Sequence, residues 1–169
     1  MLASSIFTFL AALSTAQPGM QLVEDPAFDQ TIRRYLDFSV PVISCDEFQP
    51  IMKEVLILDA REPDEYAISH IEKARNVGYK RFTLDALQDV SPDTPIVVYC
   101  SIGYRSEKIA EKLLSAGYSQ VYNLYGSIFE WVNQGNRVVD AAGKETLSVH
   151  GYNRSWSKWI TNPRMQKVW

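Results

Sequence analysis

Two short runs of consecutive apolar residues constrain the fold of this chain most strongly. They are 55-VLILDA-60 and 96-IVVYC-100, and neither alternates between apolar and polar positions. A strand without alternation is buried on both faces, which is typical of a parallel sheet covered by helices. A third, shorter run follows at 120-QVYNLYG-126. The runs therefore predict an α/β domain built on a mostly parallel sheet.

Segments with helical periodicity separate these strands. Between the second and third runs, 105-RSEKIAEKLLSAG-117 carries an apolar stripe, and Gly117 supplies a stop signal. Strand, helix and strand at this spacing predict a right-handed βαβ unit. The alternation continues in a strand entering a helix at 42–53, a weaker strand at 74–79, and short helices at 83–90 and 127–135. We expect about five strands, with helices on both faces of the sheet.

The N-terminus has the composition of an export signal. Residues 1–16 are apolar and rich in small residues, and Ser14-Thr15-Ala16 fits the small-x-small pattern of a signal-peptidase site. This predicts a cleaved signal peptide and a periplasmic or secreted protein. No Lys or Arg precedes the apolar run. The alternative is therefore a short amphipathic helix or a poorly ordered extension, on a cytoplasmic protein. Because a bilayer span needs ~20 residues, we expect no stable membrane insertion.

The rest of the chain divides into three segments. Residues 17–40 predict a helical extension, and residues 41–140 contain the α/β domain. Residues 141–169 have no clear periodicity and are rich in aromatic residues, so we expect a C-terminal tail packed on the domain.

Charge and metal-ligand content exclude several functional classes. The 169 residues carry a net charge of −3 and no basic cluster, which argues against a nucleic-acid partner. The two cysteines, Cys45 and Cys100, and the two histidines, His70 and His150, are scattered along the chain. This pattern predicts no disulfide framework, no metal and no cofactor.

Cys100 stands where the second apolar run ends and 101-SIGYR-105 leads into a helix. Parallel sheets bind ligands at the carboxyl ends of their strands. The free amides and the dipole of a helix N-terminus both favour an anionic sulfur. Gly103 permits a positive φ, so loop amides can turn inward, and Arg105 adds a cation. The alternative is a small buried hydrophobic residue, and position alone leaves the two open.

Three blocks of sequence resemble one known family. The loop Cys100-Ser101-Ile102-Gly103-Tyr104-Arg105-Ser106 resembles the active-site loop C-x-x-G-x-R-S of rhodanese-type sulfurtransferases. Upstream, 57-ILDAREPDEYAISHIEKARNV-77 is similar to the family's D-x-R…E-Y…G-H-I…A-x-N block. Downstream, 124-LYGSIFEWVNQG-135 is similar to its L-x-G-G…W…G segment. The chain is thereby identified as a rhodanese-like single-domain sulfurtransferase.

Two positions depart from the family pattern. Ser69 stands where the family has the glycine before His-Ile, and Ser127 replaces the second glycine of the later pair. We expect neither serine to touch the cysteine loop.

The resemblance implies sulfur transfer through a persulfide on Cys100. The donor would be a small anionic compound such as thiosulfate, and the acceptor cyanide or a thiol, including a protein thiol. Arg105 would attract the donor, and Asp59 and Arg61 would form a supporting ion pair. The residues implied to hold the substrate are Ser101, Ile102, Gly103, Tyr104 and Arg105.

Two further residues are predicted to be structural. His70 is expected to be a hydrogen-bonded core histidine. Cys45 begins a predicted helix, which could lower the pKa of its thiol, but no anion-binding loop follows it.

Two rival functions remain open. One is a cysteine-based phosphatase or arsenate reductase. Cell-cycle dual-specificity phosphatases share this fold but have five residues between cysteine and arginine, whereas four separate Cys100 from Arg105. The other rival is a non-catalytic rhodanese-like interaction module, although such modules have typically lost the cysteine.

Overall fold

The structure, a computed structural model, describes residues 21–169, and the predicted signal peptide lies outside them. A five-stranded sheet runs through the domain in the order β1-β5-β4-β2-β3, and every neighbouring pair is parallel. Its strands are β1 (Val42–Ile43), β2 (Leu56–Asp59), β3 (Arg75–Asn76), β4 (Ile96–Tyr99) and β5 (Val121–Leu124). The predicted α/β fold on a parallel sheet is confirmed.

Within residues 21–169, five α-helices accompany the sheet. They are α1 (Pro26–Tyr35), α2 (Cys45–Phe48), α3 (Pro63–Ile68), α4 (Tyr104–Ser115) and α5 (Ser127–Asn133). Short 3-10 helices occur at Gln49–Ile51, Leu84–Leu87 and Trp156–Trp159, so the helix predicted at 83–90 is a single 3-10 turn. Within residues 21–169, no helix combines the length and the apolar character needed to span a membrane.

Both faces of the sheet are covered, which explains the unbroken apolar runs. Ile57 of β2 belongs to the core cluster that includes Phe28 of α1 and Phe129 of α5. Its neighbour Leu58 belongs to the opposite cluster, which includes Ile109 of α4. Because successive side chains of a strand point to opposite faces, residues on both faces of such a strand are buried, and most of its positions are apolar.

The C-terminal segment contains strands that the sequence did not predict. They are β6 (Val138–Val139), β7 (Glu145–Thr146), β8 (Ser148–His150) and β9 (Gln166–Val168), and they form an antiparallel β6–β7 pair and a parallel β8–β9 pair. Val149 and Ile160 are fully buried, and Trp159 stacks on Phe28 with ring centroids 5.3 Å apart. This segment thus extends the core and brings its aromatic residues towards α1.

Candidate active site

Cys100 directly follows β4, one residue beyond the strand in which the sequence placed it. Residues 100–103 form a tight loop before α4, and Gly103 has a φ of +123°. A Cβ atom at Gly103 would make only ordinary van der Waals contact with Leu36, so it is this φ that disfavours other residues. Glycine is therefore needed at this position for the turn that returns the chain amides towards Cys100.

Asn123 of β5 holds this loop in place. Its Nδ2 donates to the carbonyl oxygen of Gly103 at 2.9 Å, and its Oδ1 accepts from Ser106 Oγ at 2.7 Å. Sequence reasoning did not single out Asn123. The available signal was an amide residue inside an apolar strand, since a buried polar side chain requires hydrogen-bond partners.

The environment of the Cys100 sulfur favours the thiolate. The backbone N–H of Gly103 donates to Cys100 Sγ at 3.2 Å. Burial of the sulfur alone would raise its pKa, but the charge of Arg105 and hydrogen bonds from Ser106 and Gly103 outweigh burial. The pKa of Cys100 is therefore lowered, which increases the fraction of nucleophilic sulfur near neutral pH.

Cys45 has the opposite character. It lies at the start of α2 but is completely buried. Burial, followed by the nearby carboxylates of Glu130 and Asp46, raises the pKa of its thiol well above the usual value. The suggestion that a helix start lowers this pKa is wrong, because the four-residue helix does not offset desolvation.

Arg105, in the first turn of α4, is already paired. Its guanidinium donates to both carboxylate oxygens of Glu65, at 2.6 and 2.8 Å, and to Ser101 Oγ at 3.0 Å. Burial raises the pKa of Glu65, but the bonds and charge of Arg105 outweigh this and lower it. The sequence predicted that Arg105 is a cation that attracts the donor, and it indicated no role for Glu65. In the structure Glu65 balances that charge.

Ser127 touches the cysteine loop, contrary to expectation. Its Oγ accepts the backbone N–H of Cys100 at 3.1 Å and donates to the carbonyl oxygen of Leu124 at 2.9 Å. The residue is buried and has a φ of +50°, which is uncommon outside glycine. The side chain that replaces the family's glycine therefore supplies a hydrogen-bond partner to the residue bearing the sulfur.

Asp59 and Arg61 form a fully buried ion pair with Arg61 Nη2 2.6 Å from Asp59 Oδ2. The same Nη2 donates to the carbonyl oxygen of Ser69, also at 2.6 Å. Asp59 lies opposite Tyr99 in the β2–β4 register, and Tyr99 directly precedes Cys100 in the sequence. The ion pair therefore lies at the carboxyl end of β2, beside the strand that precedes the cysteine loop. Neither side chain lines the cavity described next.

His70 is buried beside Tyr66. Its Nδ1 lies 3.0 Å from the Tyr66 carbonyl oxygen, and its ring stacks on the Tyr66 ring. These contacts are those of a structural histidine.

Cys100 lines a cavity of about 520 Å³ at the carboxyl end of the sheet. The four predicted loop residues that also line it are Ser101, Ile102, Tyr104 and Arg105. Gly103 is not part of the lining, and its contribution is the amide that reaches the sulfur. The site thus combines a cysteine of lowered pKa, hydrogen-bond donors around its sulfur and an adjoining cavity.

Residues 44–134, more than half of the chain, match the Rhodanese-like domain family. The chain belongs to this family, and the resemblance found in its motifs is confirmed. It is 34% identical over 98 residues to the thiosulfate:glutathione sulfurtransferase of Saccharomyces cerevisiae, covering 51% of this chain and 70% of that protein. It is 28% identical over 79 residues to the thiosulfate sulfurtransferase GlpE of Coxiella burnetii, covering 47% and 73%.

The fold is similar to that of solved structures. The BH2092 protein of Bacillus halodurans aligns with a TM-score of 0.56 at 21% identity, covering 68% of this chain and 88% of that one. This similarity extends the shared fold beyond the family match.

Proposed function

We propose that this protein is a sulfurtransferase that moves a sulfane sulfur through a persulfide on Cys100. The observation that carries the proposal is the Cys100 sulfur itself, which has a lowered pKa, accepts the Gly103 amide and faces a cavity. Two relatives named as thiosulfate sulfurtransferases support the same chemistry.

The first half-reaction loads the enzyme. The Cys100 thiolate attacks the outer sulfur of thiosulfate, a new S–S bond forms, and the donor S–S bond breaks. Sulfite leaves with the electron pair of that bond, so no external oxidant or reductant is needed. The Gly103 amide, with the loop around it, stabilises the anionic sulfur, in the way that preorganised donors stabilise developing charge elsewhere.

The second half-reaction transfers the sulfur from the persulfide to an acceptor. Cyanide attacks the terminal sulfur of the persulfide, thiocyanate leaves, and the Cys100 thiolate is restored. A thiol acceptor attacks the same sulfur. Because one product leaves before the second substrate reacts, the mechanism predicts ping-pong kinetics.

The rivals receive less support. The loop has four residues between Cys100 and Arg105, and the Arg105 guanidinium is bound to Glu65. Both features favour a single bound sulfur over a tetrahedral phosphate encircled by free donors. A non-catalytic module has no need for a thiol whose pKa is lowered.

The test is thiocyanate formation from thiosulfate and cyanide. We expect parallel lines in double-reciprocal plots, loss of activity in Cys100→Ala and near-complete retention in Cys45→Ala. Phosphatase activity that depends on Cys100, with no thiocyanate formed, would overturn the proposal.

A further inference from the structure

Tyr152 lies in a strained turn directly after β8. Its φ is +64°, and the backbone N–H of Asn153 donates to the carbonyl oxygen of Gly151 at 2.7 Å, which closes a γ-turn around Tyr152. A γ-turn with a positive φ is rare and strained, and such strain persists only where other contacts hold it. Gly151 itself is fixed on β9, because its N–H donates to the carbonyl oxygen of Val168 at 2.8 Å. The contacts of Tyr152 therefore decide whether this turn persists.

Two contacts hold Tyr152 in the turn. Its backbone N–H donates to Nδ1 of His150 at 3.1 Å, and the guanidinium carbon of Arg105 lies 5.2 Å from the centre of its ring. Tyr152 and Arg105 both line the cavity beside Cys100. His150 and Tyr152 lie beyond residues 44–134, so the C-terminal segment supplies this part of the cavity wall.

The bond from Tyr152 requires a neutral His150. An imidazole nitrogen that accepts a hydrogen bond carries no proton, so the proton of the neutral ring is on Nε2. Protonation places a hydrogen on Nδ1, and the Tyr152 N–H then faces another donor at 3.1 Å. The charged Nδ1–H needs an acceptor, and Oε1 of Glu65 lies 3.9 Å away. Protonation therefore breaks the bond to Tyr152 and draws the ring towards Glu65.

The surroundings of His150 carry both signs of charge. The charged side chains that act on it are Glu65 and Asp64 of α3, Arg61 after β2 and Arg105 of α4. On the paired strand β9, the residue opposite His150 is the uncharged Val168. Burial lowers the pKa of His150, Glu65 opposes this effect, and the two arginines add to it. The pKa is thus below its usual value, and the neutral ring is the main form at neutral pH.

Protonation of His150 also affects Arg105. The same Oε1 of Glu65 accepts from Arg105 Nη2 at 2.8 Å, so two cations then share one oxygen. Arg105 loses the ring of Tyr152 at the same time. Because the charge of Arg105 contributes to the lowered pKa of Cys100, a less firmly held guanidinium makes the sulfur less reactive.

We infer that His150 is a positioning residue for the proposed sulfur transfer. As a neutral ring it holds Tyr152 over Arg105, and the site is fully active. As a cation it binds Glu65 and releases Tyr152, and the site is less active. The inference rests on the proposed function and adds to it a device through which the C-terminal segment makes the site depend on pH. The proton comes from solvent, and no other reactant takes part.

The kinetic test compares the wild type with His150→Asn between about pH 8 and about pH 5. The asparagine Oδ1 can accept the Tyr152 N–H but does not titrate. The measured quantity is the ratio of the two kcat/KM values for thiosulfate, wild type to variant, which cancels the ionisation of Cys100 that both proteins share. Loss of an exposed cation–π contact corresponds to a factor of about two to five, so we expect the ratio to fall by this factor as the pH is lowered.

His70→Asn is the matched control, because it makes the same substitution at the other histidine of the chain. Its kcat/KM, divided by that of His150→Asn, should fall with pH in the same way as the wild-type value. A wild-type ratio that does not change with pH overturns the inference.

Hydrogen exchange of the Tyr152 amide, followed by NMR in the wild type, tests the same device without a substitution and without measuring activity. Its protection factor should fall by about fivefold, the contribution of one hydrogen bond, with the midpoint of the His150 ring titration. In His150→Asn the protection should be independent of pH. Protection that does not follow His150 overturns the inference while leaving sulfur transfer intact. Absence of sulfur transfer at every pH instead contradicts the proposed function, and the exchange measurement still decides whether His150 controls the cavity wall.

Discussion

The carboxylate of Glu65 binds the guanidinium of Arg105 through two hydrogen bonds, of 2.6 and 2.8 Å. The two side chains are only 6% and 12% exposed. Glu65 belongs to α3 and Arg105 to the first turn of α4, so the pair ties the cysteine loop to a neighbouring helix. The main consequence of this pair is that it holds the cysteine loop in place. The charge of Arg105 at the cavity is balanced by Glu65.

Glu65→Gln should therefore destabilise the protein. The substitution leaves Arg105 largely buried without its counter-charge, and breaking such a pair costs about 3 kcal/mol. Urea unfolding measures the loss. The matched control is Asp89→Asn, which breaks the two-bond pair of Arg75 and Asp89 at an exposed site and should change stability little. Equal losses in the two variants would contradict a special role for Glu65.

The effect of Glu65→Gln should depend on pH. The pKa of Glu65 is lowered in the folded protein, so the pair stabilises the fold above the unfolded carboxyl pKa of about 4.3. That stabilisation is lost as the pH falls through the lower, folded pKa. The difference in unfolding free energy between the wild type and Glu65→Gln should thus be full at pH 7 and shrink steadily below about pH 4. A difference independent of pH would contradict the ion-pair account.

Ser127 gives a prediction that separates backbone strain from hydrogen bonding. Ser127→Ala keeps the strained φ of +50° and leaves the buried Cys100 N–H without its acceptor, a loss of about 1–3 kcal/mol. Ser127→Gly loses the same bond but relieves the strain, so it should destabilise less. Chemical unfolding of both variants checks the order. A Ser127→Ala protein as stable as the wild type would show that the hydroxyl contact is unimportant.

The two cysteines should differ in their reaction with iodoacetamide as a function of pH. The pKa of Cys100 is lowered and that of Cys45 is raised well above its usual value, so only Cys100 should react appreciably at neutral pH. Arg105→Met removes a charge that lowers the pKa of Cys100 and should shift its alkylation midpoint upwards. Rates are measured by peptide mass spectrometry under native conditions. An unchanged midpoint would show that Arg105 does not stabilise the Cys100 thiolate.

Local patterns predicted the sheet and the place of Cys100 at the carboxyl end of a strand. The strands at 55–60 and 96–100 could be predicted from local sequence alone, because an unbroken apolar run indicates a strand that is buried on both faces. Gly103 was predictable for a similar reason, since the turn after Cys100 demands a positive φ that glycine adopts freely.

Contacts between distant segments were not predictable in the same way. The bond between Ser127 and Cys100 joins residues that follow two different strands of the sheet, β5 and β4. The bond depends on the positive φ of Ser127, which serine rarely adopts. For this reason no contact between this serine and the cysteine loop was expected from the sequence. The C-terminal segment has isolated buried residues, such as Val149 and Ile160, between partly buried or exposed ones. This spacing has neither helical nor strand periodicity. The position of the segment beside the cavity therefore depends on tertiary packing alone.

Export remains a prediction about residues outside the described part of the chain. If residues 1–16 are a signal peptide, the protein recovered from a native-like host should begin at Gln17 and be found outside the cytoplasm. Intact mass and cell fractionation check this. A cytoplasmic protein that retains residues 1–16 would contradict it.

The most direct test of the central claim is intact mass after incubation of the purified protein with thiosulfate. The account predicts a gain of one sulfur atom that cyanide removes, in the wild type and in Cys45→Ala but never in Cys100→Ala. A gain that survives in Cys100→Ala, or a folded wild type that gains no sulfur, would contradict a persulfide on Cys100.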